Sequence, residues 1–174
     1  MASTRGLTKI AVCVAIICVS AYLSFPIPFT TVPFTFLTLA MLLTAFVLTP
    51  AQTFVAMVVY LLLGAVGLPV FAGGSGGAGV LVSPSGGYLW GFIAGYPLCS
   101  QLKGKKPVLF RYFAAGLVSI PVSYFFGVLG LCLTTKISVM QAVVVGVLPF
   151  IIGDVIKDLL AAYIGVQLRR ILPD

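Results

Sequence analysis

The sequence predicts an all-α membrane protein: one bundle of six transmembrane helices with N- and C-termini cytoplasmic. Three observations carry that expectation. Hydrophobic residues fill 61% of 174 positions and charged residues only 7%, whereas a soluble domain carries about 25% charged residues. The apolar residues gather into six stretches, each near the ~20 residues that cross a hydrocarbon core. Most basic residues sit at the ends of those stretches, on one side of the alternating chain.

The first segment, about 7–23, follows Arg5 and Lys9 and ends at Phe25-Pro26-Ile27-Pro28. Its basic start and Val19-Ser20-Ala21 also fit a signal peptide, but retaining it gives an even helix count that agrees with the charges. A short connection with Thr30, Thr31 and Pro33 leads to the second segment, 34–48. Thr49-Pro50 marks a tight turn, because Pro suits the first helical position. The third segment, 51–66, stops at Gly67-Leu68-Pro69, and a glycine-rich stretch, 71–87, precedes the fourth, 88–102. The fifth covers 108–133 and the sixth 149–170. Between them, 138–148 is apolar but too short to span, and reads as a surface helix or an extension kinked at Pro149. The chain, 1–174, is read as one integral membrane domain, without room for a soluble catalytic or nucleotide-binding domain.

With both termini cytoplasmic, the inside ends hold Arg5, Lys9, Lys103, Lys105, Lys106, Arg111, Arg169 and Arg170, and the outside connections only Lys136. That is the positive-inside bias of a multi-pass protein of the cell (inner) membrane. The net charge of +7 is thereby a topology signal, with membrane lipid as the surrounding partner and no nucleic acid implied.

Asp154, Lys157 and Asp158 lie inside the last apolar segment. Charges at the centre of a membrane helix cost roughly 2.5 kcal/mol or more each, and persist where they pair, face a cavity or handle a substrate. Asp154 falls about 7 Å from the segment's start at Pro149, at 1.5 Å per residue. Lys157 and Asp158, at i+3 and i+4, share its face, and Asp158 reads as a counter-charge for Lys157. The glycine-rich stretch lies on the same external side, where its glycines admit close backbone approach and expose amide donors. Cluster and loop are expected to meet in one outward-opening pocket. The bland alternative is a structural ion pair that only fixes helix packing.

Other chemistry is poorly supported. Cys13, Cys18, Cys99 and Cys132 show no CxxC spacing, and the chain has no His and no Glu, so neither a disulfide framework, a metal site nor a cofactor is expected. Gly74-x-Gly76-x-x-Gly79 lacks the βαβ setting of a dinucleotide fingerprint. Gly73-Gly74-Ser75-Gly76 resembles the rhomboid nucleophile motif without the histidine base such a serine needs. Gly153-Asp154 does not complete an intramembrane aspartyl protease pattern, and no enzyme is predicted. In the first segment, Ala11 and Ala15 form a small-xxx-small pair, suited to helix packing inside the protein or against a partner.

Gly67-Leu68-Pro69-Val70-Phe71-Ala72-Gly73-Gly74, Ser83-Pro84-Ser85-Gly86-Gly87-Tyr88-Leu89-Trp90-Gly91-Phe92 and Pro149-Phe150-Ile151-Ile152-Gly153-Asp154-Val155-Ile156-Lys157 together resemble the BioY family, the biotin-specific S components of energy-coupling factor (ECF) transporters. The similarity runs from Pro26-Ile27-Pro28-Phe29 to the last helix. The family's GPTGGY stands here as Ser83-Pro84-Ser85-Gly86-Gly87-Tyr88, and its GDxxK matches at Gly153, Asp154 and Lys157. The resemblance implies a six-helix S-component fold, capture of biotin from outside, and a transmembrane coupling subunit with ATPase subunits as partners. The chain has no Walker A sequence of its own. Ala11 and Ala15 would then lie on the docking face.

Expected ligand contacts are Gly153, Asp154, Lys157, Ser75, Gly77, Ser85, Gly86, Gly87, Tyr88 and Phe29. Asp154 and Lys157 complement the donors and acceptor of a ureido group. Phe29, Phe71, Tyr88 and Trp90 are candidates for an apolar wall. A carboxylate would take donors from glycine-loop amides and from Ser75 or Ser85. Which end of the ligand faces which group is left open, as are another vitamin as ligand and a non-transporting structural subunit.

Overall fold

The computed structural model describes residues 4–28 and 30–171. Six principal helices are α1 (Thr4–Ser20), α2 (Leu37–Val47), α3 (Pro50–Ala65), α5 (Gly86–Leu102), α6 (Leu109–Thr135) and α8 (Leu148–Ile171), with short helices α4 (Ala78–Leu81) and α7 (Val139–Gly146) between them. The six apolar segments of the sequence each hold one of these helices. The second is shorter than its apolar run, because Phe34–Thr35 pairs antiparallel with Ser24–Phe25 as a two-stranded ribbon before α2 begins. Among the described residues, Leu109–Thr135 alone is long and apolar enough to cross a membrane by itself. Val139–Gly146 and Leu148–Ile171 make a second such stretch when joined across a bend of 45°.

Local signals explain the breaks. Thr49 caps α3 in a capping box with Gln52, and Pro50 follows in the first turn, where its missing N–H costs nothing. Ser138 and Gln141 form a second capping box, which is why the apolar run 138–148 begins a helix of its own. Lys136 ends α6 in the left-handed region at φ 56. The bend between α7 and α8 falls one to two residues before Pro149, whose ring obstructs a continuous helix. The run 138–148 is thus a separate helix kinked against the last one, uniting both forms of the expectation.

The second helix is central. Seven of its eleven residues are buried, and α2 packs against α1, α5 and α8. Lys103 does not sit at a wetted helix end as the topology count placed it. It is buried, and its ammonium donates to the carbonyls of Ala45 (2.5 Å) and Leu48 at the end of α2, beside the Ser100 hydroxyl bond to Leu48. A cation there satisfies carbonyls that a helix end leaves open.

The broadest helix contact joins α5 to α6, and glycine makes it. A Cβ on Gly87 would strike the Phe126 carbonyl and crowd Gly130, and one on Gly91 would crowd the Ser123 backbone. Small residues let backbones approach where no hydrophobic effect drives helices together. Gly87→Ala is therefore expected to force α5 from α6 and destabilise the protein by about 1–3 kcal/mol, read as a lower unfolding midpoint in detergent followed by Trp90 fluorescence.

Candidate ligand-binding site

A cavity of about 360 Å³ opens between the ribbon, the 71–85 connection and α2, α5, α6 and α8. That volume is at the small end of ligand sites. A buried ion pair forms part of its lining: Lys157 Nζ lies 2.9 Å from Asp154 Oδ1. Three other elements hold the pair. From α2, Thr38 donates to Asp154 Oδ1 at 3.3 Å and accepts from Lys157 Nζ at 3.2 Å. From α6, the Tyr124 hydroxyl donates to Asp154 Oδ2 at 2.6 Å. From the ribbon, the Phe34 ring lies under the ammonium, 3.7 Å from Nζ to the ring centroid, in cation–π geometry.

The glycine of the GDxxK run serves this arrangement. A side chain on Gly153 would overlap the Phe34 ring, so glycine there admits the ring that covers Lys157. Gly153 itself does not line the cavity.

Asp158 departs from its expected role. It does not balance Lys157: it is fully buried, and neither carboxylate oxygen has a hydrogen-bond partner among the described residues. A Cβ on Gly116 would overlap this carboxylate. The missing side chain on α6 therefore gives Asp158 a notch away from the cavity, one turn beyond Asp154.

Of the other sequence candidates, Ser75, Ser85 and Tyr88 line the cavity together with Phe71. Tyr88 presents its ring; its hydroxyl donates to the Gly146 carbonyl at 2.6 Å, and Gly127 makes room for the ring. Gly86 and Gly87 lie behind the wall, against Leu81 and α6 respectively. Gly77 adopts φ +100, a conformation glycine provides, and its N–H is bonded to the Gly64 carbonyl. The Gly73 and Gly74 amides are likewise taken, by Ala21 and Phe71, so these loop N–H groups fold the loop rather than point at the cavity. Trp90 lies outside the lining, half-exposed, its indole N–H donating to Leu81. Phe29 lies outside the described residues. Ala11 and Ala15 are exposed on α1, among exposed Leu7, Val12, Ile16 and Val19.

Sequence reasoning missed Thr38, Tyr124, Phe92 and Tyr96, all in the lining. Tyr88, Phe92 and Tyr96 recur every four residues on α5, an aromatic stripe that helical spacing could have shown. Thr38 carried no such signal. Among the described residues, no three of His, Cys, Asp or Glu converge as metal ligands.

An apolar helical bundle with an internal, mixed-polarity cavity of small-molecule size defines a helical membrane protein built around a ligand site. Comparison then specifies it: the chain belongs to the BioY family, whose signature matches residues 1–174. The biotin transporter BioY of Thermotoga maritima is 40% identical over 167 residues, covering 96% of this chain and 97% of that protein. The biotin transporter BioY2 of Lactococcus lactis subsp. cremoris is 37% identical over 170 residues, covering 96% and 91%. The crystal structure of the S-component for biotin from an ECF-type ABC transporter matches with a TM-score of 0.88 at 28% identity, over 95% of this chain and 91% of that one.

The ion pair makes a prediction independent of ligand. Lys157→Met leaves Asp154 buried without its cation and is expected to cost about 3–5 kcal/mol, whereas Asp154→Leu combined with Lys157→Met recovers most of that loss. Thermal unfolding of the purified single and double variants measures both.

Proposed function

We propose that this protein is the biotin-binding S component of an ECF-type transporter, capturing biotin from outside the cell and delivering it across the membrane with an ATP-driven coupling module. The observation that carries this reading is the Asp154–Lys157 pair facing a cavity of about 360 Å³ walled by Phe71, Tyr88, Phe92 and Tyr96. A bicyclic ureido ligand needs an acceptor for its N–H groups, a donor for its carbonyl, and an apolar surround. Asp154, Lys157 and the aromatic wall offer these. The names of the related proteins agree with this ligand.

In this reading the chain is a multi-pass protein of the cell (inner) membrane, with six crossings and cytoplasmic termini. The charge asymmetry supports it: α1 begins with basic residues, α8 ends with Arg169 and Arg170, and Lys105, Lys106 and Arg111 gather about the α5–α6 turn. Helix α2, at eleven residues, reaches only about 16 Å, so the second crossing combines it with the ribbon above it. The α1 face with Ala11 and Ala15 serves as the surface for a transmembrane coupling subunit, to which ATPase subunits attach. Its exposed small and aliphatic residues suit close helix packing in lipid.

Purified protein is expected to bind biotin saturably in isothermal titration calorimetry, and no binding at micromolar biotin would reject the assignment. Asp154→Asn retains an acceptor for Lys157, so the variant should remain monodisperse while its biotin affinity falls about 100-fold. Tyr124→Phe removes one charge-assisted hydrogen bond from Asp154 and should weaken biotin about tenfold, with uptake by cells falling in parallel.

A further inference from the structure

We infer that the site recognises the ring end of its ligand without reading the charge at the other end, and so also takes biotin derivatives in which the side-chain carboxylate is an uncharged carboxamide. This rests on the biotin reading and deepens it. Among the described residues lining the cavity, Lys157 is the one cation and Asp154 the one anion. The lining is therefore electrically neutral as a whole. Lys157 is also spent: its Nζ sits 2.9 Å from Asp154 Oδ1 and 3.2 Å from Thr38 Oγ1, over the Phe34 ring. A carboxylate brought to that ammonium would also meet the Asp154 carboxylate bonded to it, so repulsion offsets attraction.

The remaining polar lining is hydroxylic. Thr31 and Ser75 are exposed members of the lining, which puts them at its open rim, and Thr30 and Ser85 are further hydroxyl residues of the wall. Their bonding is already two-sided. Thr30 Oγ1 accepts from the Val32 N–H at 3.0 Å, leaving its O–H to donate. Ser75 gives its O–H to the Ala72 carbonyl at 3.0 Å, leaving its oxygen to accept. Such a rim serves a carboxylate and a carboxamide alike, since an amide brings both a donor and an acceptor. The charge of biotin's side chain stays hydrated at this rim and gains no ion pair from the protein.

The test uses biotin and its primary carboxamide, which share size and shape and differ in charge. Equilibrium binding of each to the purified full chain in detergent is expected to give Kd values within about tenfold. A cation dedicated to the carboxylate would make the difference larger. Biotin binding with the carboxamide more than tenfold weaker overturns this inference and leaves the biotin assignment intact. If neither binds, the biotin assignment falls and the inference with it. In Lys157→Gln both ligands should weaken by the same factor, whereas selective loss of biotin would show that Lys157 holds the carboxylate and would likewise overturn the inference.

Discussion

A charge pair removed from water is the constraint from which the rest of this architecture follows. Desolvating a carboxylate and an ammonium is repaid only when geometry is good and the remaining donors and acceptors are met. Here Lys157 and Asp154 meet each other on α8, Thr38 joins both from α2, Tyr124 reaches Asp154 from α6, and Phe34 covers the ammonium from the ribbon. Four elements, from three separate stretches of the chain, are thus tied to one point. The cavity lies where these elements meet α5 and the 71–85 connection, which is why its charged groups and most of its aromatic wall come from different helices.

Glycine supplies the second half of the design, by absence of volume. Gly153 leaves room for the Phe34 ring, Gly127 for the Tyr88 ring and Gly64 for the Phe71 ring. Phe71 and Tyr88 are cavity walls, so two of these notches set the shape of the site without touching its contents. Along α5 and α6, Gly87, Gly91 and Gly130 serve backbone approach instead. In lipid, where apolar side chains gain little from leaving their solvent, this contact of backbones is a main source of helix association. Motifs rich in glycine therefore mark the site indirectly, because the functional groups are those the glycines admit.

This explains what could be read from the chain and what could not. The buried charges at 154 and 157 stood out because composition makes them costly, and the geometry gives both to the cavity. The helices stood out because an apolar chain has few ways to satisfy its backbone. Thr38 was invisible, since a threonine in an apolar helix is common, and its meaning comes from a partner 116 residues away. Tyr124 was hidden similarly among the aromatics of α6. Asp158 misled because helical spacing gives angular position but not the notch at Gly116 that receives it. The glycine loop misled differently: flexible backbone suggested amides offered to a ligand, yet those of Gly73 and Gly77 tie the loop to Ala21 and Gly64, and that of Gly74 turns back to Phe71.

A pair whose partners all come from the protein bears on transport. A binding site built on a lone buried cation would hold an anion tightly but would stand uncompensated when empty, at a cost of several kcal/mol in a low dielectric. The Asp154–Lys157 pair draws its partners, Thr38, Tyr124 and Phe34, from the protein itself. On the biotin reading, loading adds hydrogen bonds to groups already neutral in sum, and unloading returns the pocket to a state that is itself stable. The empty and filled forms then differ by the ligand's own contacts, not by the appearance of bare charge. That is the balance required of a carrier, which must bind its cargo specifically on one side and let it go on the other.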